Sequence, residues 1–171
     1  MKKVFVLSAV LLVFVSAKTF SLGIGVGFDG GYDKLWGVLF LVSPGEKDHL
    51  GWRLEVDKLA DITWWNVSAS YDHWFIDSKI TDWNTGRLNW FLGTGVNVWT
   101  SFYSYKGEVD DNLYLGMQIR VPFGLHVLLG KNKHWDIYTA FIPQLGATIL
   151  QQFHFPDWSL KNGAIGIRYR F

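Results

Sequence analysis

Arg53, Glu55 and Asp57 recur at every second position, and so do Arg168 and Arg170. On a β-strand, residues two apart point to one face, so these charges of mixed sign share faces. Asp72, Arg120 and Asp136 hold similar places in other alternating stretches. Charges shielded from water must pair, because an unpaired one is costly. The chemistry implied is an ionic network of Arg53, Glu55, Asp57, Asp72, Arg120, Asp136, Arg168 and Arg170 inside a narrow lumen. Such a network fills space; in a wider lumen it would select or gate ions.

Other chemistry is thinly supported. The five histidines are His49, His73, His126, His134 and His154, and no pair has the i, i+4 spacing of a helical zinc site. His154 with Asp157 is the one candidate for a loop-borne metal, and no metal is assigned. Gly23, Gly25 and Gly27 have the wrong spacing for a dinucleotide loop, so no cofactor is expected. A lipid-modifying enzyme would need a Ser or His nucleophile–base pair at one rim. Ser104, Ser159 and His154 are the nearest candidates, without a motif around them, and no catalytic residue is assigned. His126 should face the lumen.

The elements that must carry these residues follow an export signal. Lys2 and Lys3 precede an apolar run from Val4 to Val15, and Val15-Ser16-Ala17 offers small residues for cleavage. Residues 1–17 therefore read as a signal peptide, and an uncleaved anchor is the alternative. The run is too short for a spanning helix of about 20 residues. Residues 18–171 then form one domain. With no Cys, no disulfide can staple it. The net charge of +1 argues against a nucleic-acid partner. Aromatics at 18%, ten of them Trp, suit the girdles of a membrane barrel.

Alternation with period two predicts eight strands. Phe20, Leu22, Ile24, Val26 and Phe28 oppose Ser21 and glycines, a pattern that fits large residues toward lipid and empty space within. Lys34–Val42 is apolar on both faces, which leaves its register open. Leu50, Trp52, Leu54 and Val56 form the next stripe, then Trp65, Val67, Ala69 and Tyr71. Ile76–Gly86 reads as a polar connection, long for a periplasmic turn. Then come Leu88–Val98, Leu115–Val127, Ile137–Leu145 and Ile165–Phe171. Pro122 and Pro143 predict a bulge or a strand end. The fold class is an all-β, eight-stranded antiparallel up-and-down transmembrane barrel, with both termini periplasmic. Tyr105–Asn112 and Gln151–Trp158 would be external loops, and Ser43–His49 and Gly130–His134 periplasmic turns.

Arg120-Val121-Pro122-Phe123-Gly124-Leu125, Asp136-Ile137-Tyr138 with Pro143, and Gly163–Phe171 resemble an uncharacterised family of short outer-membrane β-barrel proteins, similar in size to the OmpX and OmpA barrels. The resemblance implies a fold and an outer-membrane location. It also implies that Ile165, Ile167, Tyr169 and Phe171 are the signal read by the barrel-insertion machinery. Where that family often has an interior acidic residue on the seventh strand, this chain has Ala140. The expected role is structural or surface interaction around a filled polar lumen, with outer-membrane lipid as the surrounding partner. A narrow channel, an outer-leaflet lipid enzyme and a soluble lipocalin-like binder are the alternatives.

Overall fold

In the computed structural model, the described residues are 22–31, 34–59, 62–105, 108–109, 113–149, 154–159 and 162–171. The expected signal peptide, residues 1–17, lies outside them. Eight antiparallel strands close a ring. They are β1 (Gly23–Gly31), β2 (Lys34–Ser43), β3 (Asp48–Leu59), β4 (Ile62–Trp83) and β5 (Gly86–Tyr105). Then come β6 (Tyr114–Arg120 and Phe123–Leu129), β7 (Trp135–Phe141 and Gln144–Thr148) and β8 (His154–Ser159 and Asn162–Arg170). A two-residue strand, Glu108–Val109, folds back on the end of β5. Each strand pairs with its chain neighbour, and β1 pairs with β8, Gly25 opposite Arg168. Closure leaves the strands from β1 to β8 no common free edge, which is how a sheet crosses lipid without exposing backbone polar groups.

The pairing is staggered. Starting at Gly25, successive partners are Leu41, Gly51, Ser70, Asn97, Gln118, Gly146 and Asp157. The circuit therefore meets β8 at Asp157, although Gly25 itself faces Arg168. Such a shear tilts the strands against the barrel axis.

Alternation decides which side chains face out. Ile24, Val26 and Phe28, then Trp52 and Leu54, then Met117, Ile119, Phe123 and Leu125 are exposed on the outer surface. Arg120, His126, Asp136 and Arg168 are buried within. A lipocalin-like arrangement would reverse this. In such a barrel the apolar stripe with Trp90 would line a ligand cavity, whereas Trp90 lies exposed on the outside. The open register of β2 resolves with Val38 and Phe40 out and Leu39 and Leu41 in. One member of the expected outer stripe departs: Leu22 precedes β1 and is buried.

The expected polar connection at Ile76–Gly86 is strand. β4 runs on to Trp83 and turns through Asn84 and Thr85 into β5. Two shifts of register, at Trp74/Ile76 and Lys79/Thr81, break the alternation there. A bulge inverts the side-chain parity beyond it, which hides the period in the sequence. From Phe75 onward β4 has only β5 beside it, because β3 begins with Asp48 opposite His73.

The prolines interrupt β6 and β7 without moving them. Gly95 pairs with Arg120 and Leu92 with Phe123, so β6 keeps one register across Pro122. The same holds for β7 across Pro143, where Gln144 faces Arg120 and Phe141 faces Phe123. Pro122 lacks the donor but its carbonyl still accepts from Gly93 N–H at 2.8 Å.

Glycine makes the lumen possible where walls approach. A Cβ on Gly25 would collide with the Ile167 carbonyl and the Arg168 backbone. Gly25→Val should therefore cost at least the roughly 1–3 kcal/mol typical of overpacking. Gly45→Ala, in a turn with only ordinary contact to Asp48, should be neutral. Urea unfolding in detergent, followed by the heat-modifiable gel shift, compares the two.

Candidate functional site

The barrel interior holds two ionic clusters with an aromatic layer between them. One cluster lies toward the end that carries the chain terminus and the short turns. Asp136 on β7 is its hub, and it is fully buried. Arg168 Nη2 donates to Asp136 Oδ2 at 2.8 Å, and Arg170 Nη2 at 2.6 Å. Both arginines project from β8 on one face, two residues apart, and Arg168 faces Asp136 in the β7–β8 register. His126 on β6 lies between two carboxylates, with Nδ1 3.0 Å from Asp136 and Nε2 2.9 Å from Asp77. Asn89 Nδ2 donates to the same Asp77 oxygen at 2.6 Å. Charge-assisted bonds of this kind are about twice as strong as neutral ones.

Arg168 also reaches across the lumen. Its Nη1 donates to Ser43 Oγ at 3.1 Å and to His49 Nδ1. Ser43 Oγ and His49 Nδ1 are 2.8 Å apart. The guanidinium lies over the rings of Trp74 and Tyr138, 4.7 and 4.9 Å from their centroids. Such cation–π contacts strengthen when desolvated.

Trp74 is the middle of the apolar layer. It stacks on Phe91 with centroids 3.7 Å apart and an interplanar angle of 8°. His49 packs on it at 3.8 Å. Leu39, Leu41, Tyr138, Ala140, Ile142 and Ala164 complete the layer. Ala140 thus sits in an apolar belt, where a lone carboxylate would have no place. A residual cavity of about 20 Å³ is left at this level.

The second cluster lies on the far side of the layer. Arg120 Nε is 2.8 Å from Asp72 Oδ1, and Arg120 Nη2 is 4.0 Å from Asp29. Arg53 approaches Asp29 at 3.7 Å and Glu55 at 3.2 Å. Gly95 leaves the room that Asp72 needs, since a Cβ there would meet the Asp72 carboxylate.

The residues expected in one network are thus distributed. Arg53, Glu55, Asp72 and Arg120 fall in the second cluster; Asp136, Arg168 and Arg170 fall in the first. The Asp57 side chain lies outside the described residues. So do the side chains of His154, Asp157 and Ser159, which leaves of the metal and enzyme candidates only Ser104, half-buried near the end of β5. No group of three or more His, Cys, Asp or Glu that could hold a metal occurs among the described residues. Sequence reasoning missed Asp29, Asp77, His49, Trp74 and Phe91 as partners in the lumen. Asp29 has a usable signal, sharing parity with Gly25 and Gly27. His49 is expected in a turn, yet β3 already begins at Asp48. Trp74 and Asp77 lie on either side of the first register shift of β4.

No family model matches this chain, and no curated protein matches it. Among solved structures it is similar to the N-terminal β-barrel domain of OprF from Pseudomonas aeruginosa. The TM-score is 0.52 at 10% identity, over 88% of this chain and 97% of that one. A major outer membrane protein from Thermus thermophilus gives 0.48 at 16% identity, over 89% and 98%. Ail, the attachment invasion locus protein of Yersinia pestis, gives 0.29 at 12% identity, over 88% and 95%. The likeness to the OprF barrel domain, at 10% identity, speaks for the fold alone, that of the eight-stranded outer-membrane β-barrels.

Removing the hub tests its weight. Asp136→Ala leaves Arg168 and Arg170 buried without their carboxylate, and should cost about 3–5 kcal/mol. Chemical unfolding in detergent reads this as a large drop in midpoint. A change below about 1 kcal/mol would show that the cluster does not hold the barrel together.

Proposed function

We propose that this chain is a bacterial outer-membrane protein whose barrel is a closed scaffold for the connections it carries at one end. One observation supports this above the rest: the molecule is apolar outside and ionic inside, the reverse of a soluble fold. Trp52, Phe40 and Ile119 are exposed where a protein in water would place charge. Lipid is the surrounding that makes such a surface favourable.

The proposed topology puts both termini in the periplasm, with residues 1–17 removed on export. Ile165, Ile167 and Phe171 face outward at the end of the chain. With Tyr169 they are the segment we assign to recognition by the insertion machinery. The connections between β1 and β2, β3 and β4, β5 and β6, and β7 and β8 would then face the exterior. Their contact with other surfaces is the proposed role.

The stacked Trp74–Phe91 layer, flanked by ion pairs, favours a shut lumen over a channel. Eight strands enclose an interior that side chains can fill, whereas aqueous pores need about 16. The wild-type protein in a planar bilayer should give no discrete conductance. The double variant Trp74→Ala, Phe91→Ala should give measurable leak. Steady unitary currents from the wild type would overturn the closed reading.

A protease site placed within residues 106–112 tests the topology. Cleavage on intact cells is the expected result. Cleavage only after lysis would reverse the orientation, and recovery of the protein from the soluble fraction without detergent would defeat the membrane assignment.

A further inference from the structure

The cavity beside Trp74 is lined by His49, Ser70, Asp72, Arg120 and Arg168 among apolar neighbours. Residues of both ionic clusters therefore share its wall. Several buried polar atoms of these residues lack a hydrogen bond within the protein: His49 Nε2, Asp72 Oδ1, Arg120 Nε and Arg168 Nε. Asp72 Oδ1 and Arg120 Nε form a close ion pair, but not in the alignment of a hydrogen bond. His49 and Arg168 are themselves almost wholly enclosed.

The protonation of His49 follows from its neighbours. An arginine N–H can only donate, so His49 Nδ1 accepts from Arg168 Nη1. The ring is then neutral and carries its proton on Nε2. Nε2–H and Arg168 Nε–H are two donors, and the Asp72 carboxylate is an acceptor. A buried donor left without a partner is costly. A cavity of this volume accommodates one water where two to four polar groups surround it, whereas cavities that stay empty are apolar.

We infer that this cavity is a binding site for a single water molecule. The water accepts from His49 Nε2–H and Arg168 Nε–H and donates to the Asp72 carboxylate, with Ser70 in the same wall. It joins the two clusters into one polar network through the aromatic layer. The network is no proton path, because the arginines within it do not release a proton. The lumen would hold water without conducting.

The test uses the full chain in detergent. A high-resolution crystal structure should show density refining as water within about 3 Å of His49 Nε2 and Asp72. Empty density there would overturn the inference. So would an anomalous peak after a bromide soak, which would identify an anion site instead. In solution, oxygen-17 relaxation dispersion counts long-lived internal waters. His49→Phe should lose one relative to wild type, while Asp72→Asn, which keeps an acceptor, should retain it. An unchanged dispersion amplitude in a folded His49→Phe barrel would overturn the assignment. If that variant does not fold, the wild-type diffraction decides.

Discussion

Everything in this barrel answers to the cost of enclosing charge. A lumen formed by eight strands is too narrow for bulk water to solvate its carboxylates and their cationic partners. Most find a counter-charge on another strand, as Arg120 does at Asp72, and three of these contacts meet at Asp136. It accepts from Arg168 and Arg170 on one neighbouring strand and lies within hydrogen-bond distance of His126 on the other. The pairing therefore constrains the register of β6, β7 and β8 together. A slip of any one of these strands by one residue would turn its own members of the cluster toward the outer surface.

The apolar layer follows from the same demand. Trp74 and Phe91 keep bulk water from between the two clusters, and the Trp74 face gives the Arg168 guanidinium a surface that is not repulsive. Burial of a large aromatic and burial of a cation support one another here. The glycines are the complement: Gly25 and Gly95 leave space that the Arg168 and Asp72 side chains require. Small residues on one strand and long charged ones on the next fill a cross-section that uniform side chains would not.

Much of this is legible in the sequence, for a physical reason. Period-two alternation is strong where one face meets lipid and the other a polar interior. β6 shows it through Met117, Ile119, Val121, Phe123 and Leu125, and even Pro122 does not disturb the sequence parity. The final strand shows it equally well. The pattern fails on β4, where register shifts at Trp74/Ile76 and Lys79/Thr81 put neighbouring charged and apolar residues out of step. It also fails to divide the lumen. Parity says which face a residue takes, but not its height along the axis, so Arg53 and Arg168 look like members of one group. Height comes from shear, and shear is a property of the closed ring. The aromatic layer is invisible for the same reason, since Trp74 and Phe91 meet only through the pairing of β4 with β5.

The opposition of Gly25 and Arg168 has a kinetic corollary. The β1–β8 ladder is the join between the first and last strands of the ring, and Arg168 stands within it. Any assembly order that zips this join last must sequester a guanidinium and complete the cylinder in one event. An unfinished chain ending before that arginine would keep an open flank and leave Asp136 without either of its arginines. The sealing of the wall and the neutralisation of its centre are thus coupled, and a half-made barrel gains from neither.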